Sequence, residues 1–303
     1  MQSPAPHRAR KRFGQNFLHD QGIIRGIVRA VSPLAGQRVL EIGPGQGAIT
    51  ATILDTDCQL DVIEIDRDLV QILTDKFSSR DNFRIHEGDA LKFDIGALAG
   101  TEKLRVVGNL PYNISTPLIF HLLSAHDCIS DMHFMLQKEV VERLAAGPGS
   151  KTYGRLSIMA QYYCAIESLF DVPPEAFSPQ PKVQSAIVRL TPYAQPPFPA
   201  KDVKLLQRVV RDAFNQRRKT LRNTLKGLIS SEGLEALGLD PGIRPENVSL
   251  ESYVAIANAV GGVRNARFSP CRHSGRKPIS ARPIGAGRTA LCLRLHHHHP
   301  QYG

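Results

Sequence analysis

The first two thirds of the chain alternate short apolar runs with longer stretches of helical spacing. The apolar runs predict strands at 38–43, 60–66, 83–89, 104–109, 132–137 and 185–190. Between these strands, apolar residues recur at the spacing of a helix face, as at Leu69, Ile72 and Leu73. Short apolar strands separated by helices are typical of a parallel sheet that helices cover on both faces. The alternation therefore predicts an α/β fold.

The remainder of the chain has a different organisation. A proline-rich stretch at 192–200 predicts a linker, and residues 201–262 lose the strand pattern and contain helical segments. A chain of 303 residues is long enough for two domains. We therefore predict an α/β domain at 20–191 followed by a small all-α domain at 201–262.

Positive charge is concentrated at the two ends. Residues 1–19 contain four basic residues and residues 263–303 contain eight, and neither segment contains an acid. Of the 38 basic residues, 26 remain between 20 and 262, together with all 28 acidic ones. A near-neutral body with a basic N-terminal arm indicates either a polyanionic partner or a solvated run of charge. We expect the Arg-, Pro- and Gly-rich tail 263–303 to be disordered.

The composition excludes several classes of protein. With 42% apolar residues, the chain is too apolar for general disorder. Its five cysteines are scattered and form no CxxC pair, so we expect neither a disulfide scaffold nor a metal site. No apolar run approaches the roughly 18 residues that span a bilayer, and the N-terminus lacks the apolar region of a signal peptide. We expect a soluble protein of a reducing compartment.

A glycine-rich segment follows the first predicted strand. Residues 43–48 are Gly-Pro-Gly-Gln-Gly-Ala, and they begin a helix. Glycine lets a backbone approach a ligand closely, and a helix N-terminus offers free N–H donors. Gly43, Gly45 and Ala48 also satisfy the dinucleotide fingerprint, with Glu64 about 20 residues further on. By itself the motif fits NAD, another adenosine-bearing cofactor, or a tight turn without a ligand.

Acidic residues end the next two strands. Glu64 can accept hydrogen bonds from both hydroxyls of an unphosphorylated ribose, and Asp89 can accept one from the amine of an adenine. Either residue alone could be a solvated acid. Three successive strand ends with such groups indicate a cofactor site at the carboxyl edge of the sheet.

The fourth strand ends in Asn109-Leu110-Pro111-Tyr112, which resembles the (Asn/Asp)-Pro-Pro-(Tyr/Phe) signature of methyltransferases that modify exocyclic amines. The lone pair of such an amine is delocalised into the ring, so the amine is a poor nucleophile. If the side-chain oxygen of Asn109 and the carbonyl of Leu110 accept its two N–H groups, the lone pair can turn toward a methyl donor. Pro111 fixes the turn without adding a competing N–H, and Tyr112 offers a face for base stacking.

Further ordered motifs make the resemblance specific over most of the chain. They are FGQNFL (13–18), EIGPG (41–45), VIEID (62–66), GDA (88–90), GNLPYNISTPL (108–118), MLQKEVVERL (135–144), YGRLS (153–157), PPEAFSPQPKV (173–183) and FNQRRKTLRN (214–223). With them the chain resembles the bacterial KsgA/RsmA family of small-subunit ribosomal RNA adenine dimethyltransferases. Members usually stop soon after the last helix, so the tail 263–303 departs from the family pattern.

The resemblance implies a Rossmann-like class I methyltransferase sheet with a small C-terminal all-α domain. It implies S-adenosylmethionine as methyl donor and dimethylation of two adjacent adenines near the 3′ end of 16S rRNA, in an immature small ribosomal subunit. We accordingly expect a cytoplasmic monomer that takes part in ribosome maturation and does not bind membranes.

The resemblance also assigns roles to individual residues. The residues implied to bind the cofactor are Asn16, Leu18, Gly43, Gly45, Glu64, Asp89 and Asn109. Those implied to handle the target base are Asn109, Leu110, Pro111, Tyr112 and Phe177. In this arrangement the adenine lies between the rings of Tyr112 and Phe177. Phe177 could equally be a loop residue that packs on the core.

Basic residues in three places are candidates for RNA binding. They are Arg10, Lys11 and Arg12 in the arm, Lys151 and Arg155 beside the YGR motif, and Arg217, Arg218, Lys219 and Arg222 in the helical region. Arg218 and Arg222 are spaced to share one helix face. The pattern alone also fits an ordinary solvated helix face, and the family's use of its helical domain favours RNA.

Three alternatives stay open. One is an adenine methyltransferase for large-subunit RNA or for DNA, since the Asn109–Tyr112 signature fits either. Another is a non-catalytic checkpoint factor that binds immature particles during ribosome assembly. The third, an NAD-linked oxidoreductase, leaves the Asn109–Tyr112 motif without a role.

Overall fold

The computed structural model describes residues 15–216 and 218–267. Arg10, Lys11, Arg12, Arg217 and residues 268–303 therefore lie outside the described residues.

The strands are short, as the apolar runs predict. They are β1 (Phe17–Leu18), β2 (Arg38–Ile42), β3 (Gln59–Glu64), β4 (Phe83–Glu87), β5 (Leu104–Asn109), β6 (Ile129–Gln137), β7 (Cys164–Val172), β8 (Phe177–Ser178) and β9 (Ser185–Pro192).

Helices fill most of the intervals and the whole C-terminal part. They are α1 (Gln21–Val31), α2 (Ala48–Leu54), α3 (Arg67–Phe77), α4 (Ile95–Ala99), α5 (Ser115–Ser124), α6 (Lys138–Ala145), α7 (Arg155–Tyr163), α8 (Val203–Phe214), α9 (Leu221–Thr224), α10 (Ser231–Glu235) and α11 (Leu250–Arg267). None of these helices is both long enough and apolar enough to cross a membrane.

Seven strands form one sheet in the order β4-β3-β2-β5-β6-β9-β7. The strands β2 to β6 are parallel, whereas β9 pairs antiparallel with both β6 and β7. The expectation of a parallel sheet is confirmed for five strands, whereas the predicted strand at 185–190 joins the sheet antiparallel. The loop 173–184 joins β7 to β9 without a long helical crossover, and only antiparallel neighbours can be joined that way.

The edge strand β7 was absent from the predicted strands. Its sequence carries Glu167 and Asp171 on exposed positions, so no continuous apolar run marks it. Charged side chains of this kind are common on edge strands, because they discourage pairing with another chain.

The order in which the strands are added to the sheet reverses after β4. From β2 the chain first adds β3 and β4 on one side, and it then returns to the other side of β2 for β5 and β6. Such a reversal leaves a crevice at the carboxyl ends of the two central strands, where open α/β sheets bind ligands. The segments that follow β2 and β5 begin with Gly43 and Leu110.

Helices cover both faces of the sheet, as expected for an α/β fold. One core forms between the sheet and α1 and α2, with buried residues such as Ile24 and Ile53. The other forms under α4 to α7, with Leu118 and Val140 among its residues. Burial on both faces explains why the central strands are apolar throughout rather than alternating.

The helical part has its own core but shares one helix with the sheet. Helix α7 contributes Leu156 to the sheet core and Met159 and Tyr162 to the core of α8 and α11. Strand β9 ends and α8 begins on either side of the stretch 193–202, which includes most of the predicted linker. Helix α11 continues to Arg267, past the predicted boundary at 262.

The basic cluster near α9 is arranged differently from the prediction. Helix α8 ends at Phe214 and α9 begins only at Leu221, so Arg218 and Arg222 do not share a helix face. The break has a physical cause. Leu221 is fully buried and its N–H donates to the carbonyl of Ile243, which starts a new helix at that point.

Candidate functional site

A cavity of about 270 Å³ lies at the carboxyl edge of the sheet, at the point where the strand order reverses. Five segments of the chain line it: residues 15–18, the glycine-rich loop after β2, the end of β3, the loop after β4 and residues 109–114 after β5. The cavity therefore brings together the three strand ends and the Asn109–Tyr112 motif that were predicted to meet.

The glycine-rich loop is conformationally suited to a close backbone approach. Gly43 and Gly45 have φ values of +68° and +58°, a region that residues with a β-carbon avoid. A β-carbon on Gly45 would lie 3.1 Å from the ring of Phe17. The loop and residues 15–18 thus pack against each other along one wall of the cavity.

Glu64 and Asp89 are both held by backbone donors beside the cavity. Glu64 is 5% exposed, and its Oε1 accepts from the N–H groups of Ile65 and Asp66 at 2.9 Å each. Burial raises the pKa of Glu64, and these donors oppose the rise. Asp89 Oδ1 accepts from the N–H of Leu91 at 3.0 Å. The two carboxylates are therefore fixed acceptors on adjacent strand ends.

Asn109 is anchored by a segment far away in the chain. Its Nδ2 donates to the main-chain carbonyl of Asn16 at 3.0 Å. Asn16 and Leu18 line the cavity, as predicted for the FGQNFL motif. The bond occupies the amide nitrogen of Asn109 and leaves Oδ1 as the acceptor.

The rest of the motif is anchored as well. The N–H of Leu110 donates to the carbonyl of Met135 at 3.2 Å, and the Leu110 side chain is buried. The Tyr112 hydroxyl lies 2.8 Å from the hydroxyl of Ser185, the first residue of β9. Burial raises the pKa of Tyr112, so its hydroxyl stays protonated.

Phe177 lies outside the cavity in this structure. It is 3% exposed, belongs to the core under α1 and pairs with Leu18 in the two-stranded sheet of β1 and β8. The structure therefore does not bring the rings of Tyr112 and Phe177 to face each other across the cavity. The role of Phe177 as a second aromatic wall stays a prediction.

Two of the residues that line the cavity stand in the motifs EIGPG and VIEID but were given no role from the sequence. Ile65 is 48% exposed, which is unusual for a large apolar residue at a strand end and is a signal of a ligand-facing surface. Glu41 is 1% exposed and accepts from the Thr50 hydroxyl at 2.6 Å. Burial raises the pKa of Glu41 to about 7, and the nearby charge of Glu64 adds to the rise. The signal for Glu41 in the sequence is an acidic residue within the otherwise apolar strand β2.

The described basic candidates are exposed. Lys151 and Arg155 lie at the start of α7, where the Arg155 guanidinium sits 5.1 Å from the ring centre of Phe120 in α5. Arg218 and Lys219 lie on the surface between α8 and α9, and Arg222 lies on the surface of α9. Arg155 thus lies next to the helix that follows Asn109–Tyr112, and the other three residues lie on the helical part.

Comparison with known proteins places this arrangement in a family. The family model of ribosomal RNA adenine dimethylases matches residues 6–261. Over 253 residues the chain is 65% identical to the ribosomal RNA small subunit methyltransferase A of Pseudomonas aeruginosa, covering 83% of this chain and 94% of that protein. The protein of the same name from Marinobacter nauticus is 60% identical over 252 residues, with 83% and 91% covered.

Solved structures agree. The fold matches a dimethyladenosine transferase from Plasmodium falciparum with a TM-score of 0.68 and 26% identity, over 79% of this chain and 95% of that one. It matches the 23S rRNA methyltransferase ErmE with a TM-score of 0.65 and 25% identity, over 81% and 100%. These matches confirm the predicted class I methyltransferase fold and the resemblance drawn from the motifs. The chain belongs to the ribosomal RNA adenine dimethylase family.

Proposed function

We propose that this protein uses S-adenosylmethionine to dimethylate the exocyclic amines of two adjacent adenines near the 3′ end of 16S rRNA. The proposal rests on the residues that meet around one cavity. They are the glycine-rich loop, the carboxylates of Glu64 and Asp89, and residues Asn109 to Tyr112. Relatives at 60–65% identity are named small-subunit methyltransferases, and ErmE, named for 23S rRNA, is 25% identical. This difference supports the small-subunit RNA as substrate.

The residues around the cavity fit an adenosyl cofactor. Glu64, with one oxygen held by two N–H groups, would accept from the ribose hydroxyls, and Asp89 would accept from the adenine amine. The exposed side chain of Ile65 supplies an apolar surface between them. Asn16, Leu18 and the backbone at Gly43 and Gly45 would hold the methionine end. When bound, the cofactor supplies an electrophilic methyl group.

The protein's part in the reaction is to position the amine. Asn109 Oδ1 and the Leu110 carbonyl would accept its N–H groups, so that the nitrogen lone pair turns toward the methyl group. Pro111 fixes the backbone between these two acceptors, and the ring of Tyr112 would stack on the base. No histidine is needed as a base, because the methylated amine can lose its proton to solvent. Orientation and exclusion of water supply most of the acceleration.

The basic surfaces suit a large RNA. Lys151 and Arg155 flank the helix beside the site, and Arg218, Lys219 and Arg222 extend the charge over the helical part. Arg10, Lys11, Arg12 and Arg217, outside the described residues, would add to it. Contacts with phosphates at several places would fix the orientation of a bound RNA. We propose an immature small subunit in the cytoplasm as the partner of a protein that acts as a monomer.

The test is transfer of labelled methyl groups from S-adenosylmethionine to small ribosomal particles that lack the modification, followed by nucleoside analysis. We expect dimethyladenosine confined to 16S rRNA, and loss of transfer in an Asn109→Ala variant. Label in large-subunit RNA or in DNA would refute the substrate. Tight particle binding without any transfer would instead support the assembly-checkpoint function.

A further inference from the structure

The hydroxyl groups of Tyr112 and Ser185 form a hydrogen bond across 73 residues of sequence. Their oxygen atoms lie 2.8 Å apart, and Ser185 is fully buried. A buried hydroxyl without a partner is costly, so each group satisfies the other. Ser185 was not among the residues that the sequence motifs single out.

Ser185 has a backbone that the sheet holds in place, and the bond to Tyr112 sets the direction of its hydroxyl. It begins β9, which lies between β6 and β7 in the sheet. Its backbone is opposite Gln137 of β6 on one side and Val172 of β7 on the other. A residue paired on both sides cannot shift without breaking two ladders, so its backbone has a fixed position.

Tyr112 needs such an anchor. Its ring is partly exposed and lines the cavity, so core packing holds it on one side only. Pro111 restricts the backbone immediately before it, but the ring can still turn about its two side-chain torsions. A hydrogen bond at the far end of the ring opposes the first of these motions, because the hydroxyl oxygen moves when the ring swings about the first torsion. It leaves the tilt of the ring about the second torsion free, because the oxygen lies on that axis.

We propose that Ser185 is a positioning residue that holds the ring of Tyr112 at the place where it stacks on the target adenine. This inference rests on the proposed function, in which Tyr112 is the stacking surface. Ser185 touches neither base nor cofactor in this scheme. Its loss therefore slows methyl transfer while the cofactor still binds normally.

The test is a double-mutant cycle of Ser185→Ala, Tyr112→Phe and the combined variant. Phenylalanine keeps the ring and removes only the hydroxyl. We expect each single variant to lower the single-turnover rate on unmodified small subunits about three- to tenfold, the factor by which one hydrogen bond shifts an equilibrium. The double variant should be no slower than the slower single, because both changes delete the same bond. The dissociation constant for S-adenosylmethionine should stay within about twofold of wild type.

Ser157→Ala is the matched control. Ser157 is also fully buried, and its hydroxyl donates to the carbonyl of Arg143 between α6 and α7, away from the cavity. We expect this variant to lower the melting temperature and leave the transfer rate unchanged. If Ser185→Ala behaves like Ser157→Ala, the serine is only structural and the proposal is wrong. If Ser185→Ala does not fold, the transfer rate of Tyr112→Phe is the test. A reduced rate supports the proposal, and a wild-type rate refutes it.

Tyr112→Ala tests the stacking role of Tyr112 separately from the positioning role of Ser185. If this variant transfers methyl groups at the wild-type rate, Tyr112 is not the stacking surface and that part of the proposed function fails. If it is inactive while Tyr112→Phe and Ser185→Ala have wild-type rates, the stacking role stands and the positioning role of Ser185 is refuted. Additive losses in the double variant would also refute it.

Discussion

The side-chain amide of Asn109 donates to the main-chain carbonyl of Asn16 at 3.0 Å, joining residues 93 positions apart. This contact ties the segment before β1 to the end of β5. It also explains why residue 109 is asparagine in this chain, since an aspartate there could not donate to the carbonyl. The amide is thereby held with its oxygen as the acceptor for the target amine.

Asn109→Asp should therefore be almost inactive. It replaces the donating nitrogen by an oxygen facing a carbonyl oxygen, so the side chain must turn away. We expect the rate of methyl transfer to fall on the order of 10²-fold, the loss typical for one preorganised polar group. Asn82→Asp is the control, since Asn82 donates to the carbonyl of Cys58 at 2.9 Å far from the cavity. A wild-type rate for Asn109→Asp in single-turnover assays would contradict this role.

Gly45→Ala should weaken cofactor binding. Both Gly45 and Gly36 have positive φ values, +58° and +76°, so alanine at either position costs about 1–2 kcal/mol of stability. Only at Gly45 does the new β-carbon meet another residue, the ring of Phe17 at 3.1 Å, while nothing lies within 4 Å at Gly36. Calorimetry should show S-adenosylmethionine affinity reduced about tenfold, equivalent to about 1.4 kcal/mol, in Gly45→Ala. Equal affinity in the two variants would exclude a close approach at this loop.

Glu41 should make the ligand-free protein less stable as the pH rises. Its pKa is raised from 4.5 to about 7 in the folded state, so between these values the folded protein binds more protons than the unfolded one. Stability then falls with increasing pH across this window, by roughly 3 kcal/mol in total. Glu41→Gln removes the titration. Melting curves from pH 5 to 8 should show the variant gaining stability relative to wild type, and a constant difference would refute the assignment.

His133 should have the opposite effect on stability. It is 1% exposed in β6, neither ring nitrogen forms a hydrogen bond of good geometry among the described residues, and Nδ1 lies 3.6 Å from Oδ1 of Asp131. Burial lowers the pKa of His133 from 6.5 to about 4, and the Asp131 carboxylate opposes this shift. Between these values the unfolded chain binds the extra proton, so stability is lost as the pH falls. His133→Met should stabilise the protein by about 1–2 kcal/mol at pH 7 and by more at pH 5. Urea unfolding at both pH values measures this, and a gain that shrinks on acidification would contradict it.

Arg222→Ala should weaken particle binding in a salt-dependent way. If Arg222 contacts a phosphate, its loss removes about one unit from the slope of log affinity against log salt. Arg29→Ala is the control, because Arg29 is equally exposed but lies at the end of α1, beside the amino ends of the strands. Filter binding at salt concentrations from about 50 to about 300 mM measures the two slopes. Identical slopes in the two variants would remove Arg222 from the interface.

The α/β architecture and most of the cavity wall could be predicted from the order of residues along the chain. Buried parallel strands are mostly apolar along their length, so runs of polar groups stand out where the strands end. The glycine-rich loop, Glu64, Asp89 and Asn109 were visible for that reason. Since parallel strands end at one edge, their meeting there followed without knowledge of the strand order.

The distant residues that hold these groups in place could not be predicted in this way. The bonds from Asn16 to Asn109 and from Ser185 to Tyr112 span 93 and 73 residues, and the antiparallel entry of β9 places Ser185 where it is needed. The burial of Phe177 against Leu18 and the break between α8 and α9 are equally non-local. Local periodicity reports how deeply a residue is buried. Which atoms then meet depends on strand order and register, and packing of the whole chain sets both.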